Sequence, residues 1–90
     1  MTGPKEITEM PLSQNVQRET LGQILNGDLS VESFETGDFT GDNRCIFSRM
    51  VELYMREEKV NRINVANELM RWNELEKCGG LTYLVEISGS

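Results

Sequence analysis

The sequence predicts an all-α fold, a small compact orthogonal bundle of several helices, on three observations. Apolar residues recur at three-, four- and seven-residue intervals in successive segments. Capping and stop residues bracket those segments at the right distances. Only the last apolar run could be a strand, and a lone strand leaves its backbone donors and acceptors without partners, so that run is read as a helix as well. Ninety residues allow one domain. A content of 38% hydrophobic and 27% charged residues is ordinary globular usage, which excludes disorder of the whole chain.

Residues 1–10 carry Gly3 and Pro4 and no periodicity, and read as a flexible lead-in. Ser13 then caps a first helix over residues 14–26, with Val16, Thr20, Leu21, Ile24 and Leu25 on one stripe and Asn26-Gly27 as its stop. Gly22 inside that helix implies close approach of another helix. A short helix is expected at residues 30–34. Asp42 offers an N-cap to the clearest helix, whose Ile46, Phe47, Met50, Val51, Leu53 and Tyr54 should carry the centre of the core. Asn64 can cap a third helix with Val65, Ala66, Leu69, Met70 and Trp72 facing inward or sideways, ending at Asn73. Gly79-Gly80 makes a sharp turn between Leu75 and Tyr83, and residues 80–88 close the fold. Met50, Met55 and Met70 read as core filling.

Two cysteines without any histidine cannot complete a zinc site unless carboxylates join, and Cys45 and Cys78 read as reduced packing residues. No metal or cofactor is expected. Phosphate-loop, dinucleotide and HExxH motifs are absent, and no Ser-His-Asp set can form, so catalysis by this chain is not expected. The acidic residues fall mostly on exposed helix faces, where burial would not tune them. Net charge is -6, and residues 1–43 hold two basic against eight acidic residues, so strong direct binding to duplex DNA is disfavoured. Residues 44–77 are nearly balanced and laced with pairs such as Glu52 and Arg56. No apolar run approaches the roughly 20 residues of a membrane span, and residues 1–11 lack the apolar core of a secretory signal; the expected address is cytoplasmic.

The order of signals resembles the N-terminal domain of DnaB-type replicative DNA helicases. The likeness runs over residues 11–88. It rests on Pro11-Leu12-Ser13, Leu21-Gly22, Asp38-Phe39, the run from Ile46 to Leu53, the stretch from Val60 to Leu69, and Leu75 to Leu84 with its Gly79-Gly80 and Tyr83-Leu84. The chain departs from that pattern at Asn15-Val16-Gln17, at Asn61 and Asn64, and in a shorter segment before Asp38, which marks a divergent member.

The resemblance implies that residues 11–90 form the helical head of that domain, ending before its helical hairpin. It further implies a scaffold that organises a hexameric ring and meets other helicase subunits and a primase or helicase loader. ATP binding and unwinding would belong to the motor of the parent protein. A standalone mimic of the helicase head is the alternative, favoured by the acidic N-terminal half and the Met1 start. The candidate interface comprises Tyr54, Arg56, Arg62 and Trp72, and weak homodimerisation through Trp72 and Tyr54 is expected. Gly22, Phe47, Gly79, Gly80 and Tyr83 are assigned structural roles.

Overall fold

The computed structural model describes residues 10–89, so the lead-in expected at residues 1–10 lies, Met10 apart, outside the described residues. The described residues form four α-helices and no strand: α1 (Gln14–Leu25), α2 (Gly41–Met55), α3 (Arg62–Arg71) and α4 (Gly80–Ser88). Single 3-10 turns at Val31–Ser33, Thr36–Asp38 and Glu76–Cys78 link them. The all-α expectation holds.

Side chains that satisfy free N–H groups set the starts of α1 and α3. Ser13 Oγ accepts the Val16 N–H and opens α1 as expected. Helix α2 begins earlier than Asp42 suggested. Thr40 takes the cap position, and Asp42 sits in the first turn, where its charge complements the helix dipole. Helix α3 likewise starts three residues ahead of the expected Asn64 cap, because Asn61 Oδ1 accepts the Asn64 N–H at 2.8 Å. The expected helix at residues 30–34 shrinks to one 3-10 turn capped by Ser30.

One apolar core gathers Leu21, Ile24, Val31, Phe39, Ile46, Phe47, Met50, Leu53, Val65, Leu69 and Leu84. Phe47 stacks on Phe39 with ring centroids 4.5 Å apart, which pins the Thr36–Asp38 turn to the middle of α2. Two methionines depart from expectation. Met55 and Met70 point to solvent and only Met50 is buried, because each of the first two falls on the helix face turned away from the core.

The inward stripe of α1 also differs at one position. Val16 is partly exposed, and Gln17 takes its place inside at 1% exposure. Its amide is fully engaged. Gln17 Nε2 donates to the Leu12 carbonyl at 2.7 Å, while Oε1 accepts from the Thr40 N–H at 3.0 Å and from Asn43 Nδ2 at 2.9 Å. The Tyr83 hydroxyl of α4 completes the set by donating to Asn43 Oδ1. A buried amide bonded to Leu12, Thr40 and Asn43 is tolerated where Val16 would satisfy none of them.

Helix α4 lies against α1 at Gly22. A Cβ there would fall 1.8 Å from the Ile87 carbonyl oxygen, so the close approach expected from the sequence is real and any side chain would force the α4 backbone to shift. Gly79 and Gly80 have φ of 103° and 75°, and a Cβ on Gly79 would also meet the Tyr83 side chain at 2.8 Å. Just before this turn, Cys78 is joined to Cys45 of α2 in a disulfide, with Cα atoms 6.5 Å apart. This overturns the expectation of two reduced cysteines. The Glu76–Cys78 turn folds back onto α2, a juxtaposition that a separation of 33 residues does not reveal.

Two substitutions test this packing. Phe47→Ala should cost about 3–5 kcal/mol, read as a lower urea midpoint; superimposable melts would refute the burial of Phe47. Gly22→Ala should cost about 1–3 kcal/mol through overpacking, despite the roughly 1 kcal/mol that Ala gains in helix propensity. A Gly22→Ala protein as stable as the parent would contradict the α1–α4 contact.

Candidate interaction surface

Positions 49, 52 and 56 share one stripe of α2, and positions 68 and 72 share one stripe at the end of α3. The two stripes face each other in antiparallel sense, with Arg56 opposite Glu68 and Arg49 opposite Trp72. Glu68 is the centre. It is 4% exposed, against the expectation that the acids lie on open faces. Arg56 grips its carboxylate with both terminal guanidinium nitrogens, Nη2 to Oε1 at 2.8 Å and Nη1 to Oε2 at 3.1 Å. Trp72 Nε1 donates to Oε2 at 3.0 Å, and Arg71 Nη1 lies 3.9 Å from Oε1.

The hydrogen bonds from Arg56 hold the Glu68 carboxyl down to about 2, overcoming the burial that would raise it, with help from Trp72 and the charges of Arg56 and Arg71. The same bonds, with those to Glu58, raise Arg56 further above its ordinary value. Arg56 therefore pairs with Glu68 and Glu58 rather than with Glu52, the partner expected from helical spacing. Glu52 instead accepts from Arg49 Nη1 at 3.0 Å.

Trp72 is held from two directions. Glu68 fixes its indole edge, and the Arg49 guanidinium lies over its ring at 4.7 Å from the centroid. Arg49 is itself steadied by Glu74, whose Oε1 lies 3.3 Å from Nε without hydrogen-bond alignment. The ring stays 52% exposed. An aromatic ring already fixed in place loses little conformational freedom when a partner covers it, which suits it to anchor an interface.

The other candidate residues do not join this cluster. Tyr54 lies roughly 140–160° around the α2 axis from Arg49 and Arg56 at about 100° per residue. Its hydroxyl donates to Glu32 in the Val31–Ser33 turn, and that bond raises its pKa. Arg62, at the start of α3, donates from Nη1 to Ser88 Oγ of α4 at 3.0 Å. The four expected interface residues thus occupy three places, and only Arg56 and Trp72 meet, through Glu68. Sequence reasoning missed Glu68 and Arg49. The i,i+4 spacing of Glu68 and Trp72 and the i,i+7 spacing of Arg49 and Arg56 were visible, but the pairing across helices was not.

Among the described residues, no group of three or more His, Cys, Asp or Glu residues could hold a metal, and no helix is long and apolar enough to cross a membrane.

Comparison with known proteins gives one family, described as DnaB-like helicase N terminal domain, which matches residues 9–90. Among solved structures, the chain is similar to the N-terminal domain of DnaB helicase from Mycobacterium tuberculosis, with a TM-score of 0.76 and 26% identity. That match covers 88% of this chain, which spans 58% of the solved one. No curated protein matches.

The geometry at Glu68 predicts a pH dependence. A carboxyl whose folded pKa lies near 2, below its ordinary 4.5, contributes stability that is complete above about pH 4.5 and is lost as pH falls through about 2. Glu68→Gln should therefore be less stable than the parent at pH 6, and the gap between their urea midpoints should close between pH 4.5 and 2. A gap that stays constant over that range would show that the Glu68 charge does not contribute.

Proposed function

Because the chain belongs to the DnaB-like helicase N-terminal domain family, we propose that it acts as a scaffolding and protein-interaction module of a replicative helicase. In this reading it supports assembly of the hexameric ring through contacts with other helicase subunits, and it offers a surface to a primase or helicase loader. ATP hydrolysis and unwinding would belong to a motor outside these residues. The observation that carries the reading is Trp72, half exposed yet held by Glu68 and Arg49. Such a ring resembles the buried anchors that dominate interface energetics. The surrounding charges, Arg49, Arg56 and Arg71 against Glu52, Glu58, Glu68 and Glu74, nearly cancel. A near-neutral aromatic patch fits a protein surface better than a phosphate backbone.

Sedimentation equilibrium across micromolar concentrations tests the proposal. The chain should associate weakly and in a concentration-dependent way, and Trp72→Ala should weaken association while its circular dichroism stays that of the parent. A parent that is strictly monomeric at the highest concentration, or a folded Trp72→Ala protein that associates equally well, would remove Trp72 from the interface.

A further inference from the structure

The segment that follows Trp72 is anchored at both ends to α2. At its start, Glu74 reaches Arg49; at its end, Cys78 is bonded to Cys45. Cys45 and Arg49 are one helical turn apart on α2, so the disulfide lies directly beneath the cluster that holds Trp72. Glu74 connects the two features, with Oε1 3.3 Å from Arg49 Nε and 3.6 Å from Cys45 Sγ. We propose that the Cys45–Cys78 pair is a thiol–disulfide switch that sets the order of residues 73–79 and, through Glu74 and Arg49, the seating of the Trp72 ring. As a regulator of the Trp72 surface, the device rests on the interface reading above; as a structural coupling, it does not.

Two consequences of reduction act in the same direction. Opening the bond frees the Glu76–Cys78 turn from α2, leaving it held by packing of Leu75 and by the glycine turn into α4. Reduction also gives Cys45 an S–H that can donate to Glu74 Oε1. That proton competes with Arg49 for the carboxylate, and Arg49 is the cation lying over Trp72. Oxidation removes the competing donor and ties the segment down.

The accessible sulfur decides the chemistry. Cys78 is buried at 4% exposure, whereas Cys45 is only partly buried. A small thiol such as glutathione, as its thiolate, would attack Cys45 Sγ, forming a mixed disulfide and expelling the Cys78 thiolate, which takes up a proton. A second glutathione thiolate attacks the glutathione sulfur of that mixed disulfide, releasing oxidised glutathione and the Cys45 thiolate, which is then protonated. Two glutathione thiols supply the two electrons and two protons. The reverse sequence, with oxidised glutathione as oxidant, restores the disulfide.

Trp72 is the single tryptophan, so its fluorescence reports this site alone. The full 90-residue chain would be equilibrated in oxidised and in reduced glutathione, with thiol-labelling mass spectrometry to record whether the bond is closed or open. The switch predicts that Trp72 emission changes on reduction and that amide exchange of residues 74–80 quickens at least tenfold. It also predicts a fall in Tm of roughly 10–20 °C, the scale expected for losing a native disulfide in a domain of this size. Cys45→Ser should show the loosened exchange in both buffers and respond to neither. If labelling finds both thiols free in oxidised glutathione, or if the bond opens with Trp72 emission and exchange unchanged, the switch is refuted. A redox-sensitive Trp72 in a chain that never associates would refute the interface reading while leaving the switch standing.

Discussion

The buried amide of Gln17 is the constraint on which the rest of the bundle depends. It joins α1 to the segment before it through Leu12, to the entry of α2 through Thr40, and to the body of α2 through Asn43. Asn43 in turn receives the Tyr83 hydroxyl from α4. Apolar contacts are tolerant of small slides and rotations, whereas a buried amide left without partners costs about 1–3 kcal/mol. The network therefore accepts one register of α1, α2 and α4 and penalises the others.

With that register set, the remaining contacts fall into place. Gly22 meets the Ile87 carbonyl, so α1 and α4 can approach closely enough for Leu21 and Leu84 to share one core. Phe39 is brought over Phe47, and both rings are buried in the same core. The α2–α3 side has its own polar lock. Exposed Arg56 closes over the buried carboxylate of Glu68, and the surface tryptophan is fixed as a by-product of satisfying that carboxylate.

Helix existence was legible because periodicity and caps are local properties: Ser13, Asn26-Gly27, Asn73 and Gly79-Gly80 each act within a few residues of themselves. Competition between neighbouring caps was less so. Thr40 and Asp42, or Asn61 and Asn64, are all chemically able, and tertiary contacts such as the Gln17–Thr40 bond choose between them. A close approach at Gly22 was readable, since a glycine within a helix is a local cost that some neighbour must offset, but not that α4 makes it. The disulfide, the buried Glu68 and the Arg49–Trp72 stacking were not readable, because each depends on which faces of distant helices meet. The family resemblance agreed with the all-α fold but gave none of those pairings, and the candidate interface grouped Tyr54, Arg62 and Trp72, which the folded chain keeps apart.

The backbone contact at Gly22 also has a temporal side. Among the described helices its helix is the first made during synthesis and its partner the fourth, and the nearby Asn26–Ser88 hydrogen bond spans 62 residues. At roughly 5–20 residues per second, α1 waits several seconds before α4 exists to cover it. Through that interval Leu21 and Ile24 have α2 for shelter but lack their lid, and the glycine notch that admits α4 is open to water. The loop that must close is most of the domain, so its entropy is spent before the contact repays it. Cooperativity follows: α1 gains its full set of contacts only once α4 has formed.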